Sequence, residues 1–277
     1  MTIKVRNSLF RIFAIISAAA LLVLGMYFFL AAFHGGLEIP TNIKYVFEFD
    51  KLHKSFLFKF NFPITIAGIF FLGFYVTIVL FVLNLGFRKN LSLELTYFTL
   101  FLFGCQIEIL RLLLPTFGLW KTSSLLLILI GRTIIGARML CVVSLFLTPF
   151  FDEAKDSNSV ERNILIALLV SAGIAAFIPL DTNYTTYTMT VMWGMKGAFL
   201  SLRTIIIVCT LVAMFINAYQ RSSKQYLGLI IGYSLLILGY QFMIAADCYF
   251  LFVLAVILMT AGTSVYLRFI HLIYLWK

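Results

Sequence analysis

The sequence predicts an all-α polytopic membrane protein, and three observations lead to that fold class. Of the 277 residues, 62% are hydrophobic and 12% are charged, against roughly 45–50% and about 25% in soluble domains. The mean hydropathy is +1.05. Apolar runs of about 20 residues, the length that crosses a hydrocarbon core, recur along the chain and end at charged residues, proline or glycine.

Eight such runs predict about eight transmembrane helices. They cover residues 9–33, 63–87, 94–115, 122–151, 164–180, 192–219, 226–246 and 248–273. The first run follows a basic start, as in a secretory signal, but it exceeds the roughly 7 to 15 apolar residues of a signal core, so we expect an uncleaved anchor. The chain thus divides into an anchor at 1–33, an extracytoplasmic loop at 34–62 and a seven-helix bundle at 63–277.

The loop at 34–62 contains aromatic residues that alternate with polar ones on both sides of a polar turn, a pattern that predicts a small β-hairpin. The alternating residues are Tyr45, Phe47, Phe49, Phe56, Phe58, Phe60 and Phe62. An isolated hairpin is marginal in water. Its aromatic face is therefore expected to pack on the helix ends, either as simple interfacial packing or as a lid over an outward-facing cavity.

Lysines and arginines between the runs predict the orientation, because short basic loops stay on the cytoplasmic side. Basic residues precede the first run and follow the second, fourth, sixth and eighth: Lys4, Arg6, Arg11, Arg88, Lys89, Lys155, Arg162, Arg221, Lys224, Arg268 and Lys277. Both termini are therefore expected in the cytoplasm. The expected location is a cell membrane, most simply a bacterial inner membrane.

Ionisable residues also fall inside the runs or at their edges, where a charge costs at least about 2.5–3.5 kcal/mol on insertion scales. Such residues usually face the bundle interior and belong to a pathway, a ligand site or a structural ion pair. With two tyrosines of the seventh run they form the candidate ligand-binding set: Glu108, Arg111, Arg132, Arg138, Lys196, Arg203, Tyr233, Tyr240 and Asp247.

Two runs repeat polar residues at intervals of seven, which return to nearly the same direction on a helix. The stripes are Lys196, Arg203, Thr210 and Asn217 in the sixth run, and Tyr226, Tyr233, Tyr240 and Asp247 in the seventh. Both are expected to face protein or water instead of lipid. In the fourth run, Gly131 and Gly136 are expected to let a neighbouring helix approach closely.

Basic residues outnumber acidic ones in the outer half of the spans by about one charge, or two with Arg138, and an unpaired buried charge is costly. We therefore expect an anionic or strongly hydrogen-bonding small molecule to complete the cluster. In this hypothesis Arg132, Arg138 and Arg203 contact the ligand, Glu108 orients the arginines, and the two tyrosines supply hydroxyls or stacking faces.

A purely structural interpretation of the same charges stays open. Glu108 would bridge Arg111 and Arg132, while Arg138 and Arg203 would bond helix carbonyls or water.

Enzymatic chemistry is not expected, because the sequence offers no clustered metal ligands, no phosphate-binding glycine loop and no paired catalytic carboxylates. No cofactor or metal is predicted. Nucleic acid is not an expected partner, because the basic residues are scattered singly among apolar spans.

A carrier with broken helices is not indicated either, since Pro115, Pro149 and Pro179 fall at span ends and continuous helices are expected. The polar stripes could still line a pore in a homo-oligomer.

The turn RKNLSLE at residues 88–94, leading into QIEILR at 106–111, lies in a seven-helix bundle that follows one anchor and an outward loop. In architecture, residues 63–277 resemble the seven-transmembrane sensory modules of bacterial signalling receptors. The resemblance implies a ligand sensor that passes a helix shift inward. Because the sequence has no kinase, cyclase or other output domain, it also implies a separate cytoplasmic signalling partner. A transporter or channel for a small anion or polar solute is the rival interpretation, and a structural or assembly subunit is the third.

Overall fold

The computed structural model describes residues 3–37, 43–44, 58–87, 93–121, 125–149, 160–221 and 224–275. Within these ranges eight helices are long and apolar enough to cross a membrane. The chain is therefore an all-α multi-pass membrane protein, as its composition predicts.

The spans are numbered in chain order. Seven of them are single helices: the first at Ile3–Phe33, the second at Phe62–Gly86, the fourth at Leu125–Phe146, the fifth at Val160–Phe177, the sixth at Lys196–Arg221, the seventh at Lys224–Ile244 and the eighth at Tyr249–Leu275. The third span consists of an α-helix at Leu93–Ile107, a 3-10 segment at Glu108–Leu112 and a short α-helix at Leu113–Phe117. A 3-10 turn at Leu119–Lys121 follows it.

Three short strands form one sheet in the order β1-β2-β3. Strand β1 is Ile43–Lys44, β2 is Leu180–Thr186 and β3 is Val191–Trp193; β1 pairs parallel to β2, and β2 pairs antiparallel to β3. Because the strands lie between the first and second spans and between the fifth and sixth, they share one end of the bundle, called below the strand-bearing end. The other end, where the second span ends and the seventh begins, is called the opposite end.

Most of the hairpin predicted in the first loop, residues 45–57, lies outside the described residues, so it stays a prediction. The antiparallel pair that the structure describes spans 180–193. The sequence analysis treated most of this segment as the connection between the fifth and sixth spans and predicted no strands there. Besides the pairing of β1 with β2, a ring contact joins the two loops, because the centroids of Phe60 and Tyr187 lie 4.5 Å apart.

The third span occupies the middle of the bundle. In its most apolar 18-residue window 72% of the residues are buried, against 22% in the sixth span. Leu95, Phe98 and Leu102 are completely buried within the main apolar core. A polar side chain on this span is therefore enclosed by protein, and its charge has to be balanced by neighbouring helices.

The third span is also interrupted, which corrects the expectation of continuous helices. Pro115 has no N–H to bond the carbonyl of Arg111, four residues earlier, and its ring crowds that carbonyl. The backbone before it tightens into the 3-10 segment, where the Leu113 N–H bonds the Leu110 carbonyl. In a 3-10 helix, residues three apart eclipse each other, so the side chains of Glu108 and Arg111 are stacked on one face.

Glycines set the closest helix contacts. A Cβ on Gly239 would lie 2.6 Å from the backbone nitrogen of Met259, and one on Gly232 would lie 2.6 Å from that of Tyr266, so the seventh and eighth spans touch backbone to backbone. In the fourth span, Gly136 faces Ala175 of the fifth span at 3.4 Å, as predicted. Gly131, in contrast, makes room for the side chain of Val191 in β3 and not for a helix.

Candidate functional site

Glu108 is the centre of a buried ionic cluster. Its side chain is fully enclosed. Arg138 of the fourth span donates from Nε to Oε1 at 2.7 Å and from Nη2 to Oε2 at 3.2 Å, and Arg111 donates from Nη1 to Oε2 at 3.2 Å. One carboxylate therefore accepts from two guanidinium groups and ties the third span to the fourth.

Arg111 also holds the turn between β2 and β3. Its Nε donates to the carbonyl oxygen of Thr188 at 2.7 Å, and its Nη2 donates to the same oxygen. The turn is closed by backbone bonds from the Thr186 N–H to the Thr190 carbonyl at 2.8 Å and from the Met189 N–H to the Thr186 carbonyl at 3.0 Å. The strand turn is thus directly connected to the ionic cluster.

Met189 anchors this turn in an apolar pocket. Its backbone adopts φ = 55°, a left-handed conformation that is uncommon for a residue with a side chain. The side chain is completely buried among apolar residues of the first three spans, namely Leu21, Phe28, Ile66, Ile69, Ile109 and Leu112. These apolar residues around Met189, called below the apolar plug, hold the turn at the strand-bearing end.

Arg203 of the sixth span is buried, with 6% of its surface exposed. Its Nη2 donates to Oε1 of Gln241, and its guanidinium carbon lies 5.5 Å from the ring centroid of Phe199. The guanidinium carbon of Arg138 lies 5.5 Å from the ring centroid of Trp193. Aromatic faces stabilise both cations, but neither ring supplies a negative charge.

Four buried polar groups next to this cluster have no hydrogen-bond partner among the described residues. They are Arg203 Nε, Gln241 Nε2, the Tyr240 hydroxyl and the Trp193 indole nitrogen. All four can donate a hydrogen bond, and the guanidinium, amide and indole nitrogens can only donate. The neighbourhood therefore presents donors that require acceptors.

The net charge of the cluster, like its unpartnered donors, favours a negatively charged acceptor. Among the described residues, the charged side chains that are fully buried are Glu108, Arg111, Arg138 and Arg203. Three arginines against one glutamate leave two positive charges in excess. We call these four residues, together with Trp193, Tyr240 and Gln241, the arginine cluster.

The structure brings most but not all of the candidate residues together. Arg132 has an exposed side chain, so it does not join the cluster, and the second arginine on Glu108 is Arg138. Lys196 and Asp247 are half-buried at the strand-bearing ends of the sixth and seventh spans. Tyr233 is fully buried, seven residues from Tyr240 toward the opposite end.

The two polar stripes face protein, as predicted. Thr210 is completely buried one heptad below Arg203, and Asn217 donates from Nδ2 to the carbonyl of Pro149 at 2.7 Å. In the seventh span Tyr233 and Tyr240 are both completely buried.

Three contributors to the cluster were not singled out from the sequence. Gln241 follows Tyr240 directly and is a polar residue in an apolar run, which is a usable signal. Trp193 and the Thr188 carbonyl come from the strand pair, and no periodicity in the sequence places them beside Arg138 and Arg111.

Comparisons with protein families, with curated proteins and with solved structures gave no match to this chain. The architectural resemblance to sensory modules therefore stays a prediction.

Proposed function

We propose that the protein is a membrane ligand-binding module whose site is the arginine cluster and whose ligand is a small oxyanion of the carboxylate, phosphate or sulfate class. The observation behind the proposal is the combination of two excess buried positive charges with four unpartnered donor groups. An oxyanion supplies both negative charge and several acceptor oxygens, and guanidinium groups bind such anions by charge-assisted hydrogen bonds.

Water alone does not supply both the negative charge and the acceptor oxygens that the cluster requires. A buried water molecule can accept from one or two of the four donors, but it does not neutralise a charge. An uncompensated buried charge costs several kcal/mol. The excess charge therefore favours an anion over a purely hydrated cluster.

We propose sensing as the use of this binding, because Arg111 connects the cluster to the strand turn. Arg111 divides its donors between Glu108 and the Thr188 carbonyl. A bound anion that attracts Arg111 would weaken its hold on the turn, so occupancy would change the strand-bearing end. With both termini in the cytoplasm of a bacterial cell, this end would face outward, and the response would pass to a separate cytoplasmic partner.

Transport is the second candidate, and the 3-10 segment favours it. Helices of carriers are often broken near the bilayer midplane beside a charged site. Here the third span changes to 3-10 geometry at Glu108–Leu112, the segment that carries Glu108 and Arg111. Anion uptake into protein-containing vesicles, above that of protein-free vesicles, would support transport, whereas saturable binding without uptake would support sensing.

A thermal-shift experiment tests the binding proposal. The purified protein in detergent is titrated with sulfate, phosphate and short carboxylates, with chloride at matched ionic strength as reference. A ligand at 100 times its dissociation constant stabilises the folded state by about 2.7 kcal/mol. The variants are Arg203→Met, which removes one buried charge, and Arg132→Met, which removes an exposed arginine of a neighbouring span.

The proposal predicts that at least one oxyanion raises the melting temperature of the wild type and of Arg132→Met but not of Arg203→Met. If no oxyanion exceeds chloride, or if both variants respond like the wild type, the arginine cluster is not an oxyanion site.

A further inference from the structure

A row of tyrosine hydroxyls continues from the arginine cluster toward the opposite end. Tyr240 and Tyr233 of the seventh span and Tyr266 of the eighth are each completely buried. Within the part of the chain that the structure describes, none of their hydroxyl groups has a hydrogen-bond partner of acceptable geometry. Three buried hydroxyls in this state are unusual, because most buried polar groups are hydrogen-bonded.

The spacing of the row follows from the helix geometry. Seven residues separate Tyr240 from Tyr233, which corresponds to about 10 Å along a helix axis. Tyr266 lies where the eighth span touches Gly232, the residue beside Tyr233. The row therefore extends roughly one heptad, two helical turns, from the cluster toward the opposite end.

The rings are held by aromatic neighbours of the third span. The centroid of Phe101 lies 5.5 Å from that of Tyr240, and the centroid of Phe98 lies 5.3 Å from that of Tyr266. Because these rings are fixed in the core, their hydroxyls remain inside the bundle and do not reach bulk solvent by rotation.

Polar groups lie beside the hydroxyls without completing their hydrogen bonding. The Tyr233 hydroxyl is near Thr210, and that of Tyr266 is near Thr148, whose own hydroxyl has no partner of acceptable geometry. The Thr210 hydroxyl already donates to the Ile206 carbonyl at 2.7 Å and can only accept further bonds. Sites of this kind, with several polar groups around a small space, are where buried water binds.

We propose that ordered water molecules bind along this row and form a hydrated path that runs from the arginine cluster toward the opposite end of the bundle. An unsatisfied buried hydroxyl costs about 1–3 kcal/mol, and a bridging water removes most of that cost at little loss of entropy. Each water would have two or more of the tyrosine and threonine hydroxyls as partners.

Other buried tyrosines provide the contrast. The Tyr75 hydroxyl lies 2.5 Å from the Thr263 hydroxyl, and the Tyr97 hydroxyl accepts from Asn163 Nδ2 at 3.3 Å. Both side chains are buried, yet protein groups satisfy their hydroxyls. Among the buried tyrosines of the described residues, unsatisfied hydroxyls thus occur only along the row.

The path has a consequence for the arginine cluster that rests on the proposed function. The apolar plug around Met189 lies at the strand-bearing end, whereas the hydrated path would extend from the cluster toward the opposite end. Small polar species that follow the path would therefore approach the cluster from the side away from the plug.

X-ray radiolytic labelling with mass spectrometry tests the proposal, because hydroxyl radicals formed from bound water modify the side chains that contact it. The wild-type protein is irradiated in detergent without added oxyanion. Tyr233, Tyr240 and Tyr266 are expected to be labelled several-fold faster than Tyr75, the matched buried tyrosine whose hydroxyl is bonded to protein. Labelling of the three at the rate of Tyr75 or below would overturn the proposal.

A repeat with Arg203→Met separates this inference from the proposed function. Labelling of Tyr266, far from Arg203, is expected to persist in that variant even if the variant binds no anion. If labelling of the row is absent while oxyanion stabilisation is observed, the site exists but is not hydrated from this end. If labelling is present without oxyanion stabilisation, the hydrated path exists and the binding proposal fails.

Discussion

Replacing Glu108 with glutamine removes the only buried negative charge among the described residues. The carboxylate accepts three hydrogen bonds from Arg111 and Arg138 and is fully enclosed. Removal of one partner from a buried ion pair costs about 3–5 kcal/mol, because the remaining charge is left uncompensated. Here two arginines lose the same partner, so we expect Glu108→Gln to lower the free energy of unfolding by at least about 3–5 kcal/mol.

The assay is reversible unfolding in mixed micelles with a rising fraction of denaturing detergent, followed by circular dichroism. Arg132→Gln is the matched control, because it removes an exposed charge, and surface substitutions usually stay within about 0.5 kcal/mol. A double-mutant cycle with Arg138→Gln measures the pair itself, with an expected coupling of about 0.5–3 kcal/mol. If Glu108→Gln is as stable as Arg132→Gln, or if the two substitutions in the cycle are additive, the buried ion pair does not form.

Three further predictions concern the packing that holds the site. Gly239→Ala should destabilise the protein by about 1–3 kcal/mol through overpacking against the eighth span. The control is Gly173→Ala, where a Cβ would meet open space; it should be neutral or stabilising in the same unfolding assay. In a variant whose other two cysteines are serine, oxidation should join Cys105 and Cys141, whose sulfur atoms are 3.9 Å apart, and persistence of two free thiols would contradict the contact between the third and fourth spans. Met189→Ala should loosen the strand turn at a cost of about 2–5 kcal/mol and speed its cleavage in limited proteolysis; an unchanged cleavage rate would show that the plug does not hold the turn.

The eight spans could be predicted because hydropathy and span length are local properties of the sequence. The interior position of the stripes at Arg203, Thr210, Tyr233 and Tyr240 was also predictable, since a period of seven on a helix keeps polar groups on one face. The 3-10 segment was missed because Pro115 was treated as a span end. Pro115 affects the carbonyl four residues earlier, so the helix tightens into 3-10 geometry well before the proline itself.

The partners of each charge could not be predicted in the same way. Arg132 and Arg138 lie on the same helix, and only the position of the neighbouring spans decides that Arg138 faces Glu108 while Arg132 is exposed. The strand pair depends on a tertiary contact as well, because β2 and β3 are short and Met189 is held by residues of three distant spans. The hydropathy of 180–193 resembles that of span ends, so periodicity alone gave no signal for it.

Binding of an oxyanion by the arginine cluster is tested by an experimental density map of the protein with the most stabilising oxyanion. We expect non-protein density within hydrogen-bonding distance of Arg203 Nε and the Trp193 indole nitrogen, with Glu108 still bound to Arg138. A map in which these donors reach protein acceptors, with no density between them, would contradict it.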